Sequence, residues 1–290
     1  MMNVNHFIRP LKLLVFACLC LAMSATATTP EFEPEHRIIS TDASVTNLLF
    51  EFDQQNSLIA VDVTSQLPKG FKTLPNIGYH RNLSAEGLLS LKPSIVIGSE
   101  MMGPENVIKA LTQAGIPFLQ LPTAKTIDTL KININQVAQT LNEVEKSAQL
   151  MQWIDEQAGR LEKQSLKEER IAFLLSMDPT KLRLAGKGTN GDALITLLGA
   201  KNISDFENYR NVSAESLLAM KPTVILVAGR SPSMAVAELL EAQTSLKYSE
   251  AVQTKKIKGI DGRSLVAGLS VAALKEALSI AQYLNSSIEK

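Results

Sequence analysis

A thirteen-residue segment occurs twice in this chain, and this repeat constrains the fold more than any other feature. Residues 81–93 (RNLSAEGLLSLKP) match residues 210–222 (RNVSAESLLAMKP) at nine of thirteen positions, 129 residues apart. An apolar run typical of a buried strand follows each copy, SIVIGS in one case and TVILVAG in the other. Because solenoid repeats have a period of only ~20–50 residues, the spacing predicts two related lobes instead.

Each copy of the repeat predicts a short helix. Ser84 and Ser213 are suited to cap the helix starts, since a serine hydroxyl can accept a hydrogen bond from a free backbone N–H. A Lys-Pro pair ends each copy, where proline disfavours a helical residue before it. The predicted buried faces consist of Leu88, Leu89 and Leu91 in one copy and of Leu217, Leu218 and Met220 in the other.

The rest of the chain alternates short β-branched runs with helical patterns, which is typical of α/β layering. Strands are predicted at residues 37–40, 58–62, 95–99, 117–121, 171–176, 183–185, 224–228 and 257–261. Between the two sets, residues 143–163 read as one continuous helix with apolar positions at three- and four-residue spacing. The predicted fold is therefore two Rossmann-like α/β lobes (28–142 and 168–290), a single long linking helix (143–167), and a ligand cleft between the lobes.

The first 27 residues have the features of a secretory signal peptide. Arg9 and Lys12 precede an apolar run of eleven residues at 13–23, which is too short to span a bilayer of ~30 Å, and Ala25-Thr26-Ala27 fits a cleavage site. A transmembrane anchor is the alternative. Cleavage after Ala27 would remove both cysteines, Cys18 and Cys20, so the exported body could form no disulfide.

Composition excludes several functions. Lysine and arginine number 29, as do aspartate and glutamate, so the chain lacks the basic excess of nucleic-acid-binding proteins. Only three histidines occur, too few for a histidine-rich zinc site, and no G-x-S-x-G motif is present. The Gly186-Lys-Gly-Thr189 segment lacks the spacing of a phosphate-binding loop. These observations favour a binding protein over an enzyme.

Together, the leader, the two lobes, the linking helix and the S-A-E…K-P repeat resemble the helical-backbone periplasmic binding proteins of bacterial ABC importers, over about residues 36–285. Three segments resemble the haemin-binding members in particular: 75–89 (PNIGYHRNLSAEGLL), 97–104 (IGSEMMGP) and 185–195 (AGKGTNGDALI). The resemblance implies a monomeric periplasmic carrier that delivers haem b (haemin) to an inner-membrane permease dimer with its ATPase. Ferric siderophores and cobalamin are the alternative cargoes of this class, and a periplasmic structural or chaperone protein is a third alternative.

In the haemin-binding members, the tyrosine of a G-Y-x-R motif is the axial ligand to the haem iron and the arginine supports it. Tyr79 and Arg81 occupy these positions here. Tyrosine is a known axial haem ligand. Since an isolated tyrosine has a pKa near ~10, ligation needs the iron's charge and gains from a neighbouring cation. If residues 79–81 are extended, Arg81 points to the same side as Tyr79 and supplies that cation, whereas His80 points to the opposite side.

Other contacts to haem remain open from sequence. Some relatives carry a sixth iron ligand, a histidine, after the first strand of the second lobe, but residues 174–179 (LLSMDP) contain none. Met177 is therefore either a thioether ligand or an apolar contact, and five-coordinate iron on Tyr79 is expected. Arg230 either reaches a haem propionate or is a solvated surface residue. Met101 and Met102 are candidates for apolar cleft walls, and His80 is interpreted as a bystander or as a residue acting on the iron ligand indirectly.

The repeat also carries one glutamate per lobe, Glu86 and Glu215. The resemblance implies that these two residues dock onto arginines of the permease, since two acids at related positions can pair with a two-fold partner. Alternatively, each acid stabilises its own helix start, where the helix dipole favours negative charge. The two roles are compatible.

Overall fold

The computed structural model describes residues 36–286, and the predicted signal peptide lies outside them. The first lobe contains β1 (Ile38–Ser40), α1 (Ala43–Glu51), β2 (Leu58–Val61), α2 (Ala85–Ser90), β3 (Ile95–Ser99), α3 (Glu105–Gln113), β4 (Phe118–Leu121) and α4 (Ile127–Thr140). Its four strands form a parallel sheet in the order β2-β1-β3-β4. The central strands β1 and β3 are buried along their whole length, as in parallel sheets covered on both faces.

The linking helix, α5, spans Val144–Lys163. Glu145 lies in its first turn and Arg160 in its last, an arrangement that complements the helix dipole. Ile154 and Leu161 are buried against the core, which accounts for the apolar spacing in the sequence.

The second lobe contains β5 (Arg170–Leu175), β6 (Leu182–Ala185), α6 (Asn190–Leu197), β7 (Lys201–Asn202), β8 (Tyr209–Val212), α7 (Ala214–Ala219), β9 (Val224–Gly229), α8 (Pro232–Ala242), α9 (Glu250–Gln253), β10 (Ile257–Asp261) and α10 (Val271–Ser286). Its sheet runs β10-β9-β5-β6-β8, with β7 beside β5. The strands β10, β9 and β5 are parallel to one another, whereas β6 runs antiparallel to both of its neighbours, β5 and β8. Sequence reasoning missed β7 and β8. The latter has exposed polar residues at its centre and lacks the alternation of apolar residues that marks a strand.

The two copies of the repeat adopt the same local structure, as predicted. Ser84 accepts a hydrogen bond from the N–H of Gly87 at 3.2 Å, and Ser213 accepts one from Ser216 at 3.1 Å. In both lobes, the lysine before the proline has a left-handed backbone, with φ of 50° at Lys92 and 51° at Lys221. The equivalence therefore extends from sequence to backbone conformation at both ends of the helix.

An arginine that precedes the first strand or begins it binds the end of each repeat helix. The Arg37 guanidinium donates to the carbonyl oxygens of Leu91 and Lys92 at 2.9 and 3.0 Å. In the second lobe, the Arg170 guanidinium donates to the carbonyl of Met220 at 2.5 Å. Carbonyls at a helix end lack intrahelical donors, so these arginines satisfy them and complement the dipole. The relationship was not visible in the sequence, because each arginine lies at least fifty residues before its partner.

The predicted fold class is confirmed: two α/β lobes joined by one long helix. The final helix α10 packs on α5 and α1, and Lys275 pairs with Glu51 at 2.7 Å. Within residues 36–286, no helix combines the length and the hydrophobicity that a membrane span needs.

Candidate functional site

Most of the large apolar side chains that are exposed within residues 36–286 lie in segments that follow the carboxyl ends of parallel strands. Of the eight large hydrophobic residues exposed within residues 36–286, five lie in segments that follow such strands: Val63 and Tyr79 after β2, Met101 after β3, Met177 after β5 and Met234 after β9. In α/β folds, this edge of the sheet is where ligands bind. An apolar set of this kind on two lobes favours a ligand with large apolar faces.

Met102 does not belong to this set. Its side chain is buried in the first-lobe core beside Leu88 and Val107, so the expectation that it forms a cleft wall is wrong. Met101, by contrast, is exposed as expected.

Tyr79 is held at this edge by backbone pairing of the segment before it. The N–H of Val61 donates to the carbonyl of Pro75 at 3.1 Å, and Ile77 donates back to Val61 at 3.0 Å. Val63 then donates to the carbonyl of Gly78 at 3.0 Å. Gly78 has φ of 83°, a conformation that favours glycine, and it turns the chain out of this pairing directly before Tyr79. The tyrosine side chain is 46% exposed.

Residues 79–82 form a turn, in which the N–H of Asn82 donates to the carbonyl of Tyr79 at 2.8 Å. The expectation of an extended segment is therefore wrong, and the alternation of side chains no longer determines where Arg81 and His80 point. Arg81 is exposed like Tyr79. The His80 ring lies 4.2 Å from the Tyr79 ring, centroid to centroid, rather than on the opposite side of a strand.

A buried polar cluster lies beneath this turn. Asp42 is fully buried and accepts hydrogen bonds from the N–H groups of Val45 at 2.9 Å and Ser99 at 2.8 Å. Burial raises the pKa of Asp42, against the lowering effect of these two bonds. Asp62 is also fully buried, and His80 is 4% exposed. Sequence reasoning did not identify these acids, which the strand ends of β1 and β2 bring together.

The second lobe presents Met177 and Arg230 after β5 and β9. Met177 is 79% exposed, in the loop where Asp178 accepts from the N–H and hydroxyl of Thr180. Arg230 is exposed as well, and its carbonyl oxygen accepts a hydrogen bond from Arg263 at 3.3 Å. Sequence reasoning missed Arg263, which follows β10 and whose side chain pairs with Asp261 at 2.7 Å.

The two lobes are also linked by side chains close to these loops. Lys125, which follows β4, donates to the side-chain oxygen of Asn190 at the start of α6 at 2.5 Å. Desolvation lowers the pKa of Lys125, while Asp192 and Glu100 act in the opposite direction. Asn190 and Asp192 belong to one of the segments singled out in the sequence, whereas Lys125 gave no signal there.

Glu86 and Glu215 lie in the first turns of α2 and α7, and both are exposed. A hydrogen bond from its own backbone N–H, together with one from Ser213, lowers the pKa of Glu215, so this carboxylate is charged at neutral pH. The two acids therefore occupy equivalent, solvent-accessible positions in the two lobes.

Comparison with known proteins is consistent with this architecture. The sequence profile of a family described as periplasmic binding protein matches residues 38–263. The crystal structure of the periplasmic heme binding protein HutB of Vibrio cholerae is similar with 36% identity and a TM-score of 0.76, covering 86% of this chain and 98% of that one. A periplasmic heme binding protein from Pseudomonas aeruginosa has 27% identity and a TM-score of 0.78, over 85% of this chain and 91% of its own. The vitamin B12-binding protein of Pectobacterium atrosepticum is 24% identical over 77% of this chain and 82% of its own length.

Proposed function

The chain belongs to the periplasmic binding protein family, and from this premise we propose that it captures haem in the periplasm and delivers it to the permease of an ABC importer. It binds its cargo without covalent chemistry and carries it as a monomer. The observation that carries the proposal is the half-exposed Tyr79 at the carboxyl edge of the first sheet, followed by an exposed arginine two residues later.

The chemistry of these groups suits ferric haem. A phenolate oxygen is a hard anionic donor for ferric iron, and tyrosine serves as an axial haem ligand elsewhere. Arg81 follows in the same turn and is exposed, so its cation is available to stabilise a phenolate bound to iron. Because Tyr79 is not buried in the core, its oxygen is available to a ligand that enters between the lobes.

The exposed apolar side chains provide the faces for a porphyrin. Met101 and Val63 lie on the first lobe and Met177 and Met234 on the second. Methionine suits such contacts, since its thioether side chain is flexible and polarisable. In this arrangement Met177 is an apolar contact, Arg230 is available to a propionate, and the iron is five-coordinate on Tyr79.

Cobalamin is the second candidate cargo, because the vitamin B12-binding protein of Pectobacterium atrosepticum is similar over 77% of the chain. Haem is preferred for two reasons. The relative with 36% identity is a heme binding protein, and the G-Y-x-R motif supplies an iron ligand that cobalamin, with its own axial groups, does not require.

Titration of the purified protein with haemin tests the proposal by absorption spectroscopy. We expect a stoichiometric Soret shift with phenolate-to-iron charge-transfer bands, both lost in Tyr79→Phe, which removes only the phenol oxygen. Tyr248→Phe is the matched control, because Tyr248 is 67% exposed but ends a short second-lobe helix (Thr244–Tyr248) that does not belong to the turn at residues 79–82. A protein that leaves the haemin spectrum unchanged and binds cyanocobalamin would overturn haem in favour of the second candidate.

A further inference from the structure

The side chain next to the proposed iron ligand is buried against a carboxylate. Nδ1 of His80 lies 3.5 Å from Oδ2 of Asp62, at the outer limit of a hydrogen bond, and neither side chain is more than 5% exposed. Asp62 is fixed in turn, since it accepts hydrogen bonds from the Thr64 hydroxyl at 2.8 Å and from the Ser65 N–H at 3.0 Å. A polar contact that is shielded from water in this way is strengthened by the low local dielectric.

The backbone on both sides of His80 is also held in place. The N–H of Gly103 donates to the carbonyl of His80 at 2.9 Å, and the N–H of Leu83 donates to the carbonyl of Gly103 at the same distance. Together with the turn bond from Asn82 to Tyr79, these contacts join the tyrosine turn to the segment after β3. The imidazole therefore fills the space between a fixed carboxylate and the Tyr79 ring, 4.2 Å away.

We propose that His80, anchored by Asp62, is a positioning residue for Tyr79: it fixes the turn at residues 79–82 and supports the tyrosine ring so that the phenol oxygen faces the cleft. The inference rests on the proposed function for the role of Tyr79, but the anchoring itself is a property of the ligand-free protein. Mutation of a group that orients a metal ligand without touching the metal typically lowers the affinity for the metal 10–100-fold.

Two substitutions separate the polar anchor from simple packing. His80→Asn keeps an N–H near the position of Nδ1, whereas His80→Leu keeps an apolar volume and removes the donor. Tyr209→Phe is the matched control. Tyr209 directly precedes the second copy of the repeat, as His80 precedes the first, and its hydroxyl accepts from the Gly191 N–H at 3.3 Å.

Hydrogen–deuterium exchange on the haem-free proteins measures the anchoring directly. We expect the amides of Asn82, Leu83 and Gly103 to exchange faster in His80→Leu and to stay protected in His80→Asn and Tyr209→Phe. Unchanged protection in His80→Leu would overturn the inference, whether or not haem binds. If His80→Leu does not fold, His80→Gln takes its place, because glutamine carries its amide N–H near Nε2 instead of Nδ1.

Haemin titration of the same variants measures the consequence for the ligand. We expect His80→Leu to lose 10–100-fold in haem affinity and to show weaker charge-transfer bands per bound haem, while His80→Asn stays within about twofold of the wild type. A merely structural role would lower the melting temperature but leave the bands of the bound fraction unchanged, and that result would contradict the inference. A wild-type protein without phenolate bands would instead refute the proposed function and leave the exchange result standing.

Discussion

Leu269 in the second lobe donates its backbone N–H to the carbonyl oxygen of Ala124 in the first lobe over 2.7 Å. The adjacent Gly268 pairs with Ala124 as an isolated parallel bridge. The lobes are thus joined by backbone hydrogen bonding in addition to the α5 helix and the Lys125–Asn190 contact. Since each of these links restricts rotation of one lobe against the other, we expect small lobe motions on cargo binding rather than hinge closure.

Gly268→Ala tests this junction. Gly268 has φ of 95°, and a Cβ atom there would lie 2.3 Å from the Ala124 carbonyl oxygen. Backbone strain and the steric clash together predict a loss of ~3 kcal/mol in the free energy of unfolding, measured by chemical denaturation.

Gly70→Ala is the control for backbone strain alone. Gly70 also has a positive φ, 85°, but nothing lies within 4 Å of an added Cβ atom. Its substitution should cost about 1 kcal/mol, from strain without a clash. If both variants lost the same free energy of unfolding, the close approach of Gly268 to Ala124 would not be the reason that a glycine is needed there.

Arg37→Lys and Arg170→Lys test the contacts at the ends of the repeat helices. A lysine keeps the charge but lacks the fork with which Arg37 reaches two carbonyls, so Arg37→Lys should lose about 1 kcal/mol of stability. Arg170 makes one such bond, to Met220, and its replacement should cost less. Thermal unfolding would measure both effects, and the reverse order would contradict this account.

Local signals in the sequence were sufficient for much of the fold. The structure confirms the helix caps at Ser84 and Ser213 and the apolar strands that follow the repeat helices. Each of these signals depends on residues within one turn or one strand. The turn at Tyr79 was missed because no glycine or proline marks its interior, and a backbone bond from Asn82 closes it.

Contacts between distant parts of the chain explain what remained unpredicted in the site. Asp62 and His80 are eighteen residues apart, and Lys125 and Asn190 are 65 apart, so no periodic pattern links them. Only the parallel order of the strands brings Asp42 and Asp62 to one edge of the sheet. The candidate site residues Tyr79 and Arg81 could be proposed from a motif, whereas the groups that hold the tyrosine turn in place could be found only from the fold.

The stability of the protein should depend on pH through Glu276. Partial burial on α10 raises the pKa of this carboxyl; Lys258 opposes the shift and Asp261 adds to it. A raised pKa means that the folded state binds more protons than the unfolded state, so this contribution to stability falls as pH rises from about 4.3 through the folded-state value. Glu276→Gln should match the wild type near pH 4 and exceed it at pH 7 in urea denaturation. A difference between the two proteins that does not change with pH would contradict the assignment.

Glu86 and Glu215 should affect the delivery of haem to the permease and not the binding of haem. Glu86 and Glu215 are exposed, occupy equivalent first turns and lie outside the turn that carries Tyr79. The double variant Glu86→Ala/Glu215→Ala should therefore bind haemin like the wild type but fail to support haem-dependent growth or uptake into permease-containing vesicles. Each single variant should be intermediate, because one charged contact remains.

Glu145→Ala is the matched control for this experiment, since Glu145 is an exposed acid in the first turn of the linking helix α5. Its loss changes net charge and removes a favourable helix-dipole interaction without altering the repeat. We expect unchanged uptake with this variant. Normal uptake by the Glu86→Ala/Glu215→Ala protein would refute docking through the repeat and leave these two acids with the role of stabilising their helix starts.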